Sequence, residues 1–363
     1  MAGTDFSQLR RIMQRLIAMA AVGLFVSGCA SARYYVHVAH GEARLLLERR
    51  PVGKVLEDPA TSSALAARLR LSQQARRFAS RSLDLPDNRS YTSYVQLQRP
   101  YVAWNVFAAP RYSVEAVPQC FPIAGCVAYR GYFSETMAQA AAQKLKDGGD
   151  DVWVGGVPAY STLGWFADPI LSSMLRWDDD ELAGTIFHEL AHQLIYVKGD
   201  TAFNESFATF VEQQGLREWR RSRSLPAQDT QAQAMDDGFT ALVLALRKQL
   251  AQGYARGGTP AEREAAKQAD IEEFRRHYRQ WRDAQWPNQH RYDAWVAAPI
   301  NNARLLPFGL YDQWTPAFEV VFEQAGHRWR GFYNRVRALA KLPVGPRRLA
   351  LDGLLRPVAR PAP

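Results

Sequence analysis

The 363-residue chain predicts an α+β fold that is mostly helical, a small β-sheet lobe followed by a helical lobe. Three observations lead there. Stretches rich in Tyr, Val and Phe gather between residues 92 and 133, the composition of half-buried strands. Helical periodicity dominates on either side, over 33–85 and from 179 onward. At the junction stands His188-Glu189-Leu190-Ala191-His192, inside an apolar run that opens with a helix-start signature.

The first segment reads as an export signal. Arg10, Arg11 and Arg15 precede an apolar run from Leu16 to Val26, too short for a comfortable membrane span. It ends in Val26-Ser27-Gly28-Cys29, which resembles a bacterial lipoprotein box. In that box the cysteine is lipidated and becomes the first mature residue. Residues 1–28 are therefore expected to be removed. Residues 29–363 are expected to form one domain: helices and sheet lobe to 178, helical lobe over 179–345, tail over 346–363. Ala30 follows the cysteine where a retention signal would place Asp. That favours the outer membrane, facing the periplasm. With Cys29 lipidated, two of the three cysteines remain. Cys120 and Cys126 flank a turn-forming segment and are expected to pair in an oxidising compartment. The net charge of +9 raises nucleic acid as a partner. The arginines form no tract, and export takes the chain away from the cytoplasm. The expected partners are a membrane, through Cys29, and a peptide substrate.

Within the mature chain, residues 33–85 read as helices, with periodic stretches at Arg44–Glu48 and Ala64–Leu83. Tyr101–Phe107 and Cys126–Phe133 read as strands, and Ser134–Lys146 as a helix ending at Gly148-Gly149. Asp151–Val154 is a further strand, continuing toward Ala159–Thr162. The segment Ala159–Gly164, just upstream of the motif helix, is the candidate sheet edge on which a peptide would lie as an added strand. Two long helices follow at 229–254 and 260–285, joined by Gly257-Gly258, the second opening on a capping box with Pro260 at its first position. The tail from Pro343, rich in Pro and Arg, reads as poorly ordered at its end.

The motif carries the chemistry. Residues four apart share a helix face, so His188 and His192 can reach one cation, and neutral imidazole suits Zn²⁺. Glu189 stands where it can act on a metal-bound water, the general-base position of zinc peptidases. Asp178 and Glu181 form a capping box at the helix start, and the helix is expected to run to about Val197 and stop at Gly199. A zinc hydrolase needs a third protein ligand and an open fourth position. The arrangement with a third His is excluded, because Ile195 and Lys198 occupy those positions. A Glu from a following helix is the other arrangement. Glu205, in Asn204-Glu205-Ser206-Phe207-Ala208, would supply it from the first turn of a helix capped by Asp200 or Asn204. Glu212 is the spare candidate. Tyr160 and Tyr311 are candidate donors to an oxyanion, and Asp168 and Glu212 are candidate acids for a substrate ammonium.

Four segments carry a family resemblance: Cys120–Phe133, Ala159–Pro169, Phe187-His-Glu-Leu-Ala-His-Gln and Phe203-Asn-Glu-Ser-Phe-Ala. They resemble the predicted-aminopeptidase family of Gram-negative lipoproteins, over nearly all of the mature chain. More distantly, His188, Glu189, His192 and Glu205 resemble the thermolysin-like zinc peptidases whose third ligand is Glu. The resemblance implies a thermolysin-like cleft, one Zn²⁺ per chain and an aminopeptidase. Twelve residues separate His192 from Glu205, fewer than in those enzymes. Thr209 stands where thermolysin places an acidic residue behind a ligand. An endopeptidase, and a non-catalytic envelope lipoprotein with a structural metal site, are the alternative readings. Intact Glu189 argues against the latter, since a structural site has no use for a base.

Overall fold

The computed structural model describes residues 33–121, 125–159, 161–227, 230–308 and 314–355. The chain divides into two compact units, 1–49 and 50–363, each described by itself. In the first, residues 33–48 form helix α1, with Arg44 paired to Glu48 one turn on at 2.6 Å. The export segment and Cys29 lie outside the described residues. Among the described residues no helix is long and apolar enough to cross a membrane.

The second unit opens with β1 (Arg50–Pro51), α2 (Val52–Glu57), α3 (Ser63–Ser82), β2 (Ser93–Val95) and β3 (Ala103–Pro110). Then come β4 (Gln119–Phe121), β5 (Gly125–Val127), β6 (Tyr129–Tyr132), α4 (Glu135–Asp147), β7 (Asp150–Val157) and β8 (Ile170–Leu171). The strands form three small sheets, β1-β2-β8, β6-β3-β7 and the hairpin β4-β5. In the largest, β3 runs antiparallel to both neighbours, with Val106 opposite Arg130 and Val154. The expected Cys126–Phe133 strand is two strands, broken at Ala128 between different sheets.

The expected extension of β7 into Ala159–Thr162 does not form. Within the candidate edge, Tyr160 lies outside the described residues, and the rest is loop. Leu163 (φ 56°) and Gly164 (φ 81°) are both left-handed, a backbone incompatible with a strand.

The helical part holds α5 (Asp179–Leu194), α6 (Thr201–Ser222), α7 (Thr230–Ala255), α8 (Pro260–Gln285), α9 (Asp293–Ala297) and α10 (Asn302–Leu305). It closes with α11 (Thr315–Gln324), α12 (Trp329–Ala340) and α13 (Val344–Leu355). Thus helices dominate, with the sheets ahead of α5, as expected. The division is not clean, because α3 packs on α5 and α10 packs on β3 and β7. The α7–α8 pair has its own core of Phe239, Val243, Leu246, Ile271 and Phe274. Behind α6, Phe203, Phe207 and Phe210 pack against Phe318, Phe322 and Phe332 of α11 and α12. This apolar wall holds α6 on its outer side.

The expected loose tail is corrected as far as Leu355, where α13 ends. Pro346 falls in its first turn, where a missing N–H costs nothing. Arg347 is buried and pairs with Asp200 at 2.9 Å. Residues 356–363 lie outside the described residues.

Cys120 and Cys126 stand directly opposite in the β4–β5 register and are disulfide-bonded, with Cα atoms 3.9 Å apart. Beside them Gly125 has φ 79° and touches the turn between α5 and α6. A Cβ there would lie 2.9 Å from the Gly199 nitrogen, so only glycine fits the contact.

Candidate metal centre

The site is built on the α5–α6 hairpin. At the start of α5, Asp178 accepts from Glu181 N at 2.8 Å, and Glu181 returns the bond to Asp178 N at 3.3 Å. The expected capping box is formed. Asp179 pairs with Arg68 of α3 and Asp180 with Arg220 of α6, which ties the acidic first turn to both neighbouring helices.

Helix α5 ends at Leu194, about a turn before the expected stop. Asn204 gives the reason. Its side chain donates to Val197 O at 2.8 Å and accepts from Val197 N at 2.7 Å. Both backbone groups of Val197 are thereby drawn out of α5 toward α6. Gly199 (φ 76°) then turns the chain. Asp200 caps α6, accepting from Phe203 N at 3.3 Å, while its other oxygen holds Arg347. The cap thus falls to Asp200, and Asn204 clasps the turn. Because α6 starts at Thr201, Glu205 stands at the beginning of its second turn, not in its first.

The hairpin brings His188, His192 and Glu205 together. The two Nε2 atoms lie 3.1 Å apart. Glu205 Oε2 is 3.3 Å from His188 Nε2 and 3.6 Å from His192 Nε2. Donors on a tetrahedral Zn²⁺ with bonds near 2.05 Å sit about 3.3 Å apart, so these edges match an ion of that size. The donor set, two imidazole nitrogens and a carboxylate oxygen, is one that Zn²⁺ takes.

Behind the first imidazole, Glu212 Oε2 lies 3.0 Å from His188 Nδ1. A carboxylate there fixes the ring and leaves Nε2 to face a metal. Glu212 is therefore not a spare ligand. It stands seven residues after Glu205 on the same helix. Room for it comes from Gly184, where a Cβ would lie 3.0 Å from Glu212 Oε1. His192 Nδ1 is buried with no protein hydrogen bond among the described residues, so orientation from behind falls to Glu212.

The charges agree with a cation site. Burial disfavours the charged form of His188, but Glu205 and Glu212 hydrogen-bond to it and hold its pKa well above the ordinary imidazole value. Burial pushes Glu205 up, yet the two imidazoles win and hold it down at about 2. Both directions favour positive charge between the imidazoles and the carboxylates.

Glu189 is different. No hydrogen bond holds its carboxylate among the described residues, and it is only partly exposed. Burial raises its pKa first, against the lowering effect of His188 and His192 and with the help of Glu205 and Asp168. An unpaired carboxylate of raised basicity can accept a proton.

The other residues singled out in the sequence divide. Tyr160 and Tyr311 lie outside the described residues. Asp168 is buried and engaged by Ser161, Thr162 and Gln193, and Glu212 is engaged by His188. Neither acid is available to a substrate ammonium. Sequence reasoning missed Asn204 as the clasp and Tyr196 as a neighbour. The Tyr196 ring stands 6.2 Å from that of His192. Burial first and the Glu205 charge second raise its pKa, which keeps its hydroxyl a donor. Its position four residues after His192 was a usable signal.

Two histidines and a glutamate converge on one point and could hold a metal ion, with a second glutamate unpaired beside them. The chain belongs to the family described as "Putative aminopeptidase", whose model matches residues 33–351. The coarse class is thus a peptide hydrolase. No curated protein and no solved structure matches the chain.

Proposed function

We propose that the protein is a zinc-dependent aminopeptidase anchored in a bacterial envelope, working in a thermolysin-like cleft. The observation that carries the reading is Glu189, desolvated and unpaired next to His188, His192 and Glu205. A site that only stapled two helices would have no need of it. Zn²⁺ held by His188, His192 and Glu205 would polarise a water and the scissile carbonyl. Glu189 takes the proton from the attacking water and later gives it to the leaving amine. Glu212 keeps His188 in the tautomer that binds a cation. Tyr196, half-buried against His192, is the described tyrosine best placed to donate to the developing oxyanion.

The test is hydrolysis of peptides by zinc-loaded protein, with free and with acetylated N-termini. The expected result is cleavage one residue from a free terminus, lost on chelation and restored by Zn²⁺. Cleavage of acetylated peptides at internal bonds would replace the aminopeptidase assignment with an endopeptidase one. No chelator-sensitive cleavage would end the peptidase reading.

The envelope anchor rests on Cys29 and its preceding box. Cys29→Ser is expected to move the protein from the detergent-extracted membrane fraction to the soluble one. Unchanged partition would show that something else holds it.

A further inference from the structure

The loop from Ser161 to Asp168 is a built structure. The Asp168 carboxylate, 3 % exposed, accepts from Thr162 N at 3.2 Å, Thr162 Oγ1 at 2.6 Å, Ser161 Oγ at 3.1 Å and Gln193 Nε2 at 3.3 Å. Its backbone carbonyl accepts from Tyr91 N at 2.6 Å. The two ends of the loop are therefore tied to each other and to the body of the unit. Between them the chain reverses through left-handed Leu163 and Gly164. Trp165 N then donates to Thr162 O at 3.1 Å, and Phe166 N to Thr162 Oγ1 at 3.1 Å. The product is a braced tip carrying two adjacent large aromatics in water, Trp165 at 69 % exposure and Phe166 at 48 %.

The place of that tip is set by Gln193. A Cβ on Gly164 would touch Gln193 Cγ at 3.5 Å, so the tip lies directly on this side chain. Gln193 also receives Asn88 Nδ2 at 2.7 Å and donates to Ser90 Oγ at 3.2 Å, which fixes it in turn. On α5, Gln193 is four residues after Glu189, hence on the same face one turn along, and it directly follows His192. The aromatic tip therefore flanks the face of α5 that presents the candidate base. The buried carboxylate is offset by its hydrogen bonds, whereas two adjacent large aromatics held in water mark a binding surface. Here the neighbour with a defined occupant is the peptide site.

We propose that Trp165 and Phe166 wall the subsite beside the scissile bond, so that the protein selects peptides with a large apolar or aromatic side chain there. Asp168 is the positioning residue that holds this wall. The inference rests on the peptidase reading and names its substrate class. The occupant is one apolar peptide side chain. Covering it with two aromatic faces is expected to favour Leu or Phe over Ser or Asp by about 10–100-fold, the effect of burying one such side chain.

The experiment uses two short peptides of equal length, identical except for Leu or Asp beside the scissile bond. Cleavage is measured with the zinc-loaded full chain and its Trp165→Ala variant. Binding of the same peptides is measured by calorimetry on Glu189→Gln, alone and combined with Trp165→Ala. Circular dichroism checks that the variants are folded. The expected result is a Leu-over-Asp preference in both kcat/KM and Kd that collapses by about 10–100-fold on Trp165→Ala. Cleavage without such a preference, or a preference untouched by the substitution, overturns the subsite and leaves the peptidase standing. A Trp165-dependent preference in binding, with no cleavage by the unaltered chain, supports the subsite while the peptidase reading fails. Loss of binding to anionic vesicles on Trp165→Ala, with peptide preference intact, assigns the tip to a membrane and overturns the proposal.

Discussion

Glu189→Gln is expected to lower kcat by about 10²–10⁴-fold, the share of a positioned general base, while the protein keeps its full zinc content. The two properties separate because Glu189 contributes nothing to the cluster of His188, His192 and Glu205. Its carboxylate is held by no hydrogen bond among the described residues, so an amide of the same shape disturbs no partner. Elemental analysis and a peptide assay on the same preparation check both halves. Loss of zinc together with activity would make Glu189 a ligand and dissolve the assignment of a base.

The second large effect concerns the two acids of α6. Glu205→Ala removes an oxygen that lies 3.3 and 3.6 Å from the two imidazole nitrogens, and a hydrolytic site with two protein ligands is incomplete. It is expected to abolish stoichiometric zinc. Glu212→Ala removes only the group behind His188, and a roughly 10–100-fold loss of affinity is expected. The proton on His188 gives this a pH dependence. Its raised pKa means that the metal-free site keeps a proton to higher pH than a free imidazole would. Zinc must displace it, so affinity should rise as pH rises through that value and fall below it. Competition with a chromophoric chelator over a pH series measures all three quantities. Equal or inverted losses in the two variants would exchange the roles of Glu205 and Glu212.

What the sequence disclosed was local. The capping box at Asp178 and Glu181, the face shared by His188 and His192, and the helix that carries Glu205 all follow from spacings of three and four residues. The Cys120–Cys126 pair was legible for the same reason. What stayed hidden depends on how elements pack. Glu212 looked like a rival ligand, because the turn of α6 against α5 decides whether it meets Nδ1 or a metal. Asp168 looked like an acid for a substrate ammonium, since nothing local says that a carboxylate will be buried among four donors. The Ala159–Gly164 segment looked like an edge because of its place just upstream of α5, which says nothing of a left-handed Leu163. The composition of the last segment suggested disorder, but Arg347 meets Asp200, which stands 147 residues earlier. Such a pairing has no footprint in the neighbouring residues.

The contact of Gly125 with Gly199 links events that are usually separate. The cross-strand bond between Cys120 and Cys126 stiffens the hairpin whose Gly125 presses on the bend joining the two ligand-bearing helices. A chain with both thiols reduced would retain every ligand yet lose the brace on the bend that sets their spacing. The bend between the two helices thus rests on a covalent link that lies outside both of them.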